Sequence, residues 1–497
     1  PGAGKTTRVP LALKDAPWLA GKKIVMLEPR RLAARASAKR MADTLGEAVG
    51  ETVGYTVRLE RKVSARTRIE VVTEGILTRR LQQDPELSDT GLVIFDEFHE
   101  RSLDGDFGLA LMLDVQRGLR PDLRLLVMSA TLDEESLTRH LGDAALLKTA
   151  GRMFPVGVTH LDRPSRFTLV EDTVKACLRA LREVKGSLLV FLPGEGEIRR
   201  VAEALGKEAL PVGAQVRPLY GALSFAEQDE AIRPPAPGSR KIVLATTIAE
   251  TSLTIEGIEA VIDTGLKRAP RFDPASGMTA LETVRVSQAS AEQRKGRAGR
   301  LGPGHCYRLW PEAETRALAP HDAPEIRVAD LAPLVLDLAN WGVSALAGIP
   351  WLEAPPAPAF AQAQELLQQL GAIDAGQSIT SHGKAMARLP LHPRLAHMVV
   401  RAAELGVGRA AAETAALISE RDGLPRDMSA DIETRLLHLR GTARDRIRQA
   451  ARQVIDILKL GDDTAEISHG VLLGLAYPDR IAQRRGIEAT ARYLAHL

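Results

Sequence analysis

The chain has 497 residues, of which 45% are hydrophobic, and its formal net charge is only +3. The length predicts three or four domains with well-packed cores, whereas so small a charge does not by itself indicate a nucleic-acid partner. No apolar run reaches the length of a membrane span, and no secretory signal stands at the start, which argues against membrane and secreted proteins. The two cysteines, Cys177 and Cys306, have no metal-binding spacing and favour a reduced, cytoplasmic protein.

The chain begins with PGAGKTT, which matches the end of the P-loop pattern G-x-x-x-x-G-K-[ST]. In a P-loop, backbone N–H groups surround phosphate oxygens, the lysine neutralises the terminal phosphates, and the hydroxyl that follows binds Mg²⁺. A glycine-rich turn before a helix is the alternative for this motif alone. Because the strand that should precede a P-loop is missing, we expect the chain to be a fragment. The predicted nucleotide-binding residues are Gly2, Ala3, Gly4, Lys5, Thr6 and Thr7, with Thr6 also predicted as a metal ligand.

Short apolar segments alternate with helical stretches over about the first 155 residues. This alternation predicts a parallel sheet covered by helices. A second round of the same pattern follows a connector at residues 151–156 and predicts a second sheet. Because ligands often bind between domains, we expect a site between the two sheets. The predicted strands are residues 23–27, 69–73, 92–95 and 125–128 in the first sheet and residues 187–191, 215–219, 241–245 and 260–263 in the second.

The segment LVIFDEFHERS at residues 92–102 has two carboxylates directly after a continuous apolar strand. Open parallel sheets bind their ligands at the carboxyl ends of the strands. We therefore predict that Asp96 binds Mg²⁺ and that Glu97, which is also predicted as a metal-site residue, polarises the attacking water. His99 is predicted to link the nucleotide site to the second domain, and a packed histidine without a catalytic role is the alternative.

The segment QRKGRAGR at residues 293–300 spaces Gln293, Arg297 and Arg300 so that a short helix presents them on one side. Arginine suits a phosphate because its planar fork pairs with two oxygens and stays charged. From a second domain these residues reach a γ-phosphate held by the first only when the domains close, so hydrolysis depends on closure. The predicted catalytic residues are Glu97, Gln293, Arg297 and Arg300.

The segments PGAGKTT, DEFHERS, SAT and QRKGRAGR, in this order, resemble the motifs of the DEAH-type helicases of superfamily 2, and within them the bacterial HrpB group. The usual tetrad is DEAH, and Phe98 replaces its alanine here. The resemblance implies an α/β fold with two tandem RecA-like parallel-sheet domains, followed by a winged-helix domain and a helical-bundle (ratchet) domain. The domains are predicted at residues 1–155, 156–320, 321–389 and 390–497, the last with the start of a C-terminal region that the chain lacks.

The third and fourth domains are predicted from shorter matches. DLAPLVLDLANWG at residues 330–342 resembles the winged-helix segment of the family, and a short strand pair is expected near Ile373 and residues 378–380. SHGKAMARLPLHPRLAHMV at residues 381–399 resembles the start of the ratchet domain. Residues 395–460 have helical spacing of apolar residues almost throughout.

Basic residues cluster in EPRRLAARASAKR at residues 28–40. In the family that the sequence resembles, the PRR segment contacts the nucleic-acid backbone, and the arginine at the position of Arg40 lies over the nucleotide base. A solvated helix face is the alternative for such a cluster. Phosphate contacts are the main contribution to binding of this kind.

Two further segments match family motifs with substitutions. TEGIL at residues 73–77 resembles TDGML, with Glu74 in place of aspartate, and residues 245–265 resemble motif V, with Thr247 in place of asparagine. The predicted nucleic-acid-binding residues are Arg30, Arg31, Thr73, Glu74 and Thr247. The predicted coupling residues are His99, Ser129, Thr131 and Thr251.

The predicted function is an ATP-dependent helicase or translocase that uses Mg²⁺ and moves 3′→5′ on single-stranded RNA, with direction and RNA preference implied by the resemblance alone. The alternatives are a DNA translocase and a nucleotide-gated RNA-binding switch without processive unwinding. A P-loop metabolic kinase is disfavoured because it has no use for QRKGRAGR. DEAH proteins stack a phenylalanine on the base near Ile232 or Arg233, where this chain has no aromatic residue, so we expect other nucleoside triphosphates to serve as well. The sequence does not identify a protein activator.

Overall fold

The structure is a computed structural model that describes residues 4–130, 134–149, 154–163, 168–250, 255–273, 277–420, 424, 428–438, 441–485 and 492–495. The chain divides into two compact units. Unit 1 contains residues 1–329 and 350–354, and unit 2 contains residues 330–349 and 355–497. The two predicted α/β domains lie in unit 1, and the limits of the four predicted domains stay predictions.

The first sheet of unit 1 has six strands in the order β3-β2-β4-β1-β5-β6, and all neighbours are parallel except β2 and β3. The central strands are almost wholly buried, as continuous apolar segments require when helices cover both faces. Its strands are β1 (Lys23–Glu28), β2 (Val53–Val57), β3 (Glu60–Lys62), β4 (Ile69–Thr73), β5 (Thr90–Phe95) and β6 (Arg124–Val127). Its helices are α1 (Lys5–Leu13), α2 (Arg31–Leu45), α3 (Glu74–Gln83), α4 (Leu103–Gly118) and α5 (Glu134–His140).

The second sheet of unit 1 also has six strands, in the order β7-β14-β11-β8-β10-β9, and all of them are parallel. A separate antiparallel hairpin is formed by β12 and β13. The strands are β7 (Val156–His160), β8 (Ser187–Phe191), β9 (Ala214–Leu219), β10 (Arg240–Ala245), β11 (Ile258–Asp263), β12 (Leu266–Asp273), β13 (Met278–Arg285) and β14 (Gly304–Arg308). The helices are α6 (Leu169–Glu183), α7 (Glu195–Gly206), α8 (Phe225–Ile232), α9 (Gln288–Gly296) and α10 (Glu312–Arg316).

Helix α2 connects the two sheets. Ala34, Ala38, Met41 and Ala42 pack in the core of the first sheet. On another face of the helix, Leu32 packs with Phe191 and Leu219 of the second sheet. The Arg35 guanidinium lies 3.8 Å from the centre of the Phe225 ring at the start of α8. The segment that carries the PRR motif therefore touches both α/β domains.

Unit 2 is mainly helical, and α14 packs against α13, α15 and α18. A single bridge joins Ile373 and Ile379, where the sequence predicted a short strand pair. Its helices are α11 (Ala332–Trp341), α12 (Ala357–Gln369), α13 (Ser381–Ala387), α14 (Pro393–Glu404), α15 (Gly408–Ser419), α16 (Ile432–His438), α17 (Gly441–Leu458) and α18 (His469–Ala476). Two short strands follow, β15 (Ala482–Arg485) and β16 (Arg492–Ala495).

All eight strands predicted for the two sheets are present, and the two-sheet α/β fold class is confirmed. The strands β2, β3, β7 and β14 and the hairpin were not predicted, and of these β3 and β7 lie at the edges of their sheets. The hairpin is exposed on both faces, so its sequence lacks the apolar run that marks a buried strand. Among the described residues, no helix has the length and hydrophobicity needed to cross a membrane.

Candidate nucleotide and nucleic-acid site

The P-loop leads directly into helix α1, whose first residue is Lys5. Gly4 precedes the helix with φ of 70°, a left-handed conformation that glycine adopts without strain. A helix that begins after such a turn presents unpaired N–H groups and the positive end of its dipole, which favour an anion. The Lys5 Nζ atom donates a hydrogen bond of 2.9 Å to the Ser129 carbonyl oxygen, so the P-loop and the SAT segment meet. The predicted site residues outside the described part of the chain are Gly2, Ala3, Thr131 and Thr251.

Two acidic residues stand at the carboxyl end of β5, next to the P-loop. The Asp96 Oδ1 atom accepts the Glu97 N–H at 2.9 Å. Burial, and then the charge of Glu97, raise the pKa of Asp96 to about 7, while the Thr6 hydroxyl and Lys5 act in the opposite direction. The Asp96 Oδ2 atom is buried and accepts no well-aligned hydrogen bond. A hydroxyl and a buried carboxylate with an unused oxygen form the kind of donor set that Mg²⁺ prefers.

Glu97 adopts a backbone conformation that is rare for a residue with a side chain. Its φ is 49° and its ψ is 33°, in the left-handed region. Strain of this kind persists where surrounding structure enforces it, and it clusters at functional sites. The turn continues through residues 98–100, and the Glu100 N–H donates to the Glu97 carbonyl oxygen at 2.9 Å.

His99 lies between the acidic residues and the SAT segment. Its Nδ1 atom accepts the Ala130 N–H at 3.4 Å and is 3.6 Å from a carboxylate oxygen of Glu97. Burial lowers the pKa of His99, although Glu97, Glu100 and Glu250 oppose this effect. A neutral imidazole therefore bonds the SAT backbone near the carboxylate of Glu97, and the charge of Glu250, from the second domain, acts on the same ring.

Two arginines of the second domain approach the acidic residues of the first. Arg297 follows α9 directly and donates from Nε to the Glu250 carbonyl oxygen at 2.9 Å. Burial and the charge of Arg300 hold the pKa of Arg297 well below its usual value, whereas the charge of Glu97 raises it. Burial also lowers the pKa of Arg300, with opposing influence from Glu97 and a further lowering by Arg40.

The charge of Glu97 acts on both Arg297 and Arg300, which indicates that these predicted catalytic residues of the two domains lie near one another. Positive charges that are buried side by side repel each other, and a bound polyanion would relieve this repulsion. Arg40, predicted to lie over the base, belongs to this cluster through its effect on Arg300. Gln293 lies on α9, one turn before Arg297, and is half-buried.

The predicted nucleic-acid-binding residues lie at or just before the start of a helix or helical turn. Arg31 and Thr247 begin helical turns at the carboxyl ends of β1 and β10, and both are half-buried. Arg30 has internal partners: its Nη2 atom donates to Glu100 Oε2 at 2.9 Å, and its Nη1 atom donates to the Thr247 carbonyl oxygen. Thr73, half-buried, precedes helix α3.

Three family models match the chain. A model described as DEAD/DEAH box helicase matches residues 1–139, and one described as Helicase conserved C-terminal domain matches residues 170–302. A third, described as Helicase associated domain (HA2), winged-helix, matches residues 363–391. The first two models thus cover the first sheet and strands β8 to β11 of the second sheet. This chain belongs to the DEAD/DEAH-box helicase family.

Members of the family with known sequences or structures align with nearly all of the chain. The ATP-dependent RNA helicase HrpB of Escherichia coli is 46% identical over 98% of this chain. A crystal structure of E. coli HrpB superposes with a TM-score of 0.90 and covers 99% of this chain. The fission-yeast splicing factor and ATP-dependent RNA helicase prp22 is 38% identical over 84% of this chain and 36% of its own length. The chain spans 59% of the curated HrpB sequence and 62% of the crystallised HrpB chain.

Three charged residues inside the family motifs were not among the predicted site residues. Arg294 of α9 is 1% exposed, and it donates from Nε to Glu250 Oε2 at 2.9 Å and from Nη1 to Asp263 Oδ1 at 2.8 Å. The Ser290 hydroxyl donates to the same glutamate. Removing one partner of a buried ion pair typically costs about 3–5 kcal/mol. For Glu250 and Asp263 the sequence signal was a charge within segments of otherwise small or apolar residues, whereas Arg294 lies among other charged residues and had no such signal.

Glu74 has an internal partner as well. It is buried at the start of α3, and its carboxylate accepts a hydrogen bond of 2.5 Å from the Ser102 hydroxyl, which in turn accepts the Gly105 N–H and caps α4. A Cβ atom at Gly105 would lie 2.7 Å from both Glu74 Oε1 and Ser102 Oγ, so a larger residue there would have to displace this hydrogen-bonded pair. In the structure Glu74 connects the start of α3 to the segment that follows DEFH, and its contact with nucleic acid stays a prediction.

Stability should depend on pH through Glu74. Burial raises the pKa of its carboxyl group from 4.5 to about 8. Between these values the folded chain keeps a proton that the unfolded chain has lost, so the contribution of this group to the free energy of unfolding falls as pH rises through the window. In Glu74→Gln the free energy of unfolding should therefore fall less as pH rises. The difference should be a few kcal/mol at most, because one unit of pKa shift corresponds to about 1.4 kcal/mol. The check is the thermal midpoint at about pH 5.5 and about pH 8.

The control for this prediction is Glu203→Gln, which changes an exposed glutamate of α7 and should leave the pH dependence as it is in the unmodified chain. An unchanged pH dependence in Glu74→Gln would mean that its carboxyl group titrates normally.

Proposed function

We propose that the chain hydrolyses ATP between its two parallel-sheet domains and couples hydrolysis to 3′→5′ movement on single-stranded RNA. The observation that supports this most directly is the influence of Glu97, from the first domain, on Arg297 and Arg300, from the second. A group that stabilises charge on a γ-phosphate acts only when both domains are in place. Hydrolysis would then occur only when the two domains are closed around the nucleotide.

Six of the predicted residues have a stated role in this proposal. Lys5 neutralises the phosphates, and Thr6 and Asp96 would hold Mg²⁺, which would withdraw charge from the phosphoryl oxygens. Glu97 orients and polarises the attacking water. Arg297 and Arg300 stabilise the negative charge that develops in the transition state.

The preference for RNA rests on the relatives, whose names describe ATP-dependent RNA helicases. Backbone contacts do not separate RNA from DNA unless the 2′-hydroxyl is recognised. We also propose a cytoplasmic protein, because both cysteines are buried free thiols.

The test is the ATPase rate with single-stranded RNA, with single-stranded DNA and with neither. We expect RNA to stimulate the rate most, and we expect GTP to replace ATP in part because no aromatic residue stands at positions 232 and 233. Displacement of a strand from duplexes with a 3′ or a 5′ overhang then tests movement and direction. Stimulation by DNA alone would favour a DNA translocase, and stimulation without displacement would favour a binding switch.

Arg31→Ala should weaken binding of nucleic acid about equally for all sequences and reduce the slope of log affinity against log salt by roughly one contact. The reason is its position at the first residue of α2, at the carboxyl end of β1, where a phosphate contact carries no sequence information. The measurement is fluorescence anisotropy of labelled RNA over a series of salt concentrations.

Lys39→Ala is the matched control, since Lys39 is an exposed residue of the same helix. Equal losses in both variants, or no loss in either, would indicate that the basic run is a solvated helix face.

A further inference from the structure

Arg30 joins three motifs that lie far apart in the sequence. It precedes α2 as the first arginine of PRR. Its guanidinium donates to the carboxylate of Glu100, in the turn that follows Glu97, and to the carbonyl oxygen of Thr247 in motif V. These side chains are partly sheltered, with 29% of Arg30 and 16% of Glu100 exposed. The planar fork of arginine can bond two separate acceptors at once, which the single ammonium group of lysine does less well.

The Thr247 carbonyl oxygen is the start of a second connection. It also accepts the Glu250 N–H, at 3.0 Å, and this bond closes the short helical turn at Thr247–Ala249. Glu250 binds the end of α9 through both its side chain and its backbone. Its carboxylate accepts a hydrogen bond from Arg294, and its carbonyl oxygen accepts the Nε–H of Arg297. Motif V, Arg294 and Arg297 are therefore linked by hydrogen bonds through Glu250.

The contacts of Arg30 close a continuous path between the two halves of the nucleotide site. On one side, Glu100 is bonded to the backbone of Glu97. On the other, Thr247 is one short turn from Glu250, which positions Arg297. The charge of Arg30 also lowers the pKa of Arg297, so the two guanidinium groups are near each other. A shift of Arg30 would change how the turn that bears Glu97 lies against Arg297.

We propose that Arg30 is a positioning residue that transmits the binding of nucleic acid to the hydrolytic site, rather than a simple contact to the nucleic-acid backbone. The proposal rests on the proposed function. Arg31, the next residue, is the predicted phosphate contact, so a strand bound there acts directly on the backbone that carries Arg30. Contiguous polar networks of this kind couple sites when both sites bias the same contacts.

The test separates the maximal rate from the affinity. In Arg30→Ala, the ATPase rate at saturating RNA should fall about tenfold or more, while the RNA concentration for half-maximal stimulation changes by less than about threefold. Arg31→Ala should do the opposite, raising the half-maximal concentration and keeping the rate at saturation. Arg30→Lys should recover part of the rate, because one acceptor can still be bound.

A double-mutant cycle tests the path itself. Glu100→Gln should reduce the stimulated rate, and the combination with Arg30→Ala should be hardly worse than Arg30→Ala alone, because both changes break the same contact. Unfolding temperature and affinity for a slowly hydrolysed ATP analogue, measured in every variant, exclude misfolding as the cause.

Two results would overturn the inference. One is a normal rate at saturating RNA in Arg30→Ala with a raised half-maximal concentration, which would make Arg30 an ordinary phosphate contact. The other is full additivity in the double-mutant cycle. If the unmodified chain hydrolyses no nucleoside triphosphate with any nucleic acid, the proposed function fails instead, so the two failures are distinguishable.

Discussion

Glu97→Gln should keep binding of nucleotide and lower the hydrolysis rate by about 10²–10⁴-fold, the usual contribution of a general base. The amide keeps the size of the side chain but cannot accept a proton from water. Glu97 lies directly after the buried strand β5 and beside Asp96, and its carboxylate influences both arginines of the second domain. Single-turnover hydrolysis together with fluorescent-nucleotide binding measures the two effects separately.

Lys5→Ala is the contrasting variant for this prediction. Because the ammonium group neutralises phosphate charge in the ground state as well, its loss should weaken nucleotide binding itself. If Glu97→Gln turns over at a rate within about threefold of the unmodified chain, Glu97 has no role as a base.

Arg300→Ala should still bind ATP in the first domain but lose about 10³–10⁵-fold in the hydrolysis rate, as in other enzymes that lack such an arginine. Arg300 is half-buried near the buried Arg297, and the charge of Glu97 influences both. Its charge stabilises the transition state only when the second domain is in place, so stimulation by RNA should disappear together with the rate. The measurement is the ATPase rate against RNA concentration in the variant and in the unmodified chain.

Arg316→Ala serves as the matched control, because it removes an exposed arginine of α10 in the same domain and should leave the curve unchanged. If RNA still stimulates Arg300→Ala to the full rate, Arg300 has no role in catalysis. Domain closure would then not act on hydrolysis through this residue.

Most of the strands that are buried on two faces could be predicted from the sequence, although β2, buried at four of its five residues, was not. β5 and β8 are continuous apolar runs because helices cover both sides of a parallel sheet, and such runs are visible in the sequence. β3 and the β12–β13 hairpin could not be predicted in this way. Their residues are mostly exposed, so neither burial nor alternation marks them as strands.

The sequence by itself determined where Lys5, Thr6, Asp96 and Glu97 stand, because each position depends on a strand end or helix start only a few residues away. Only the tertiary structure decided which charged groups are paired. Arg30 reaches Thr247 across 217 positions, and Arg294 reaches Glu250 across 44. An arginine has the same letter whether it is solvated or buried against a carboxylate, and the difference arises only when folding removes water and brings the distant partner within hydrogen-bonding distance.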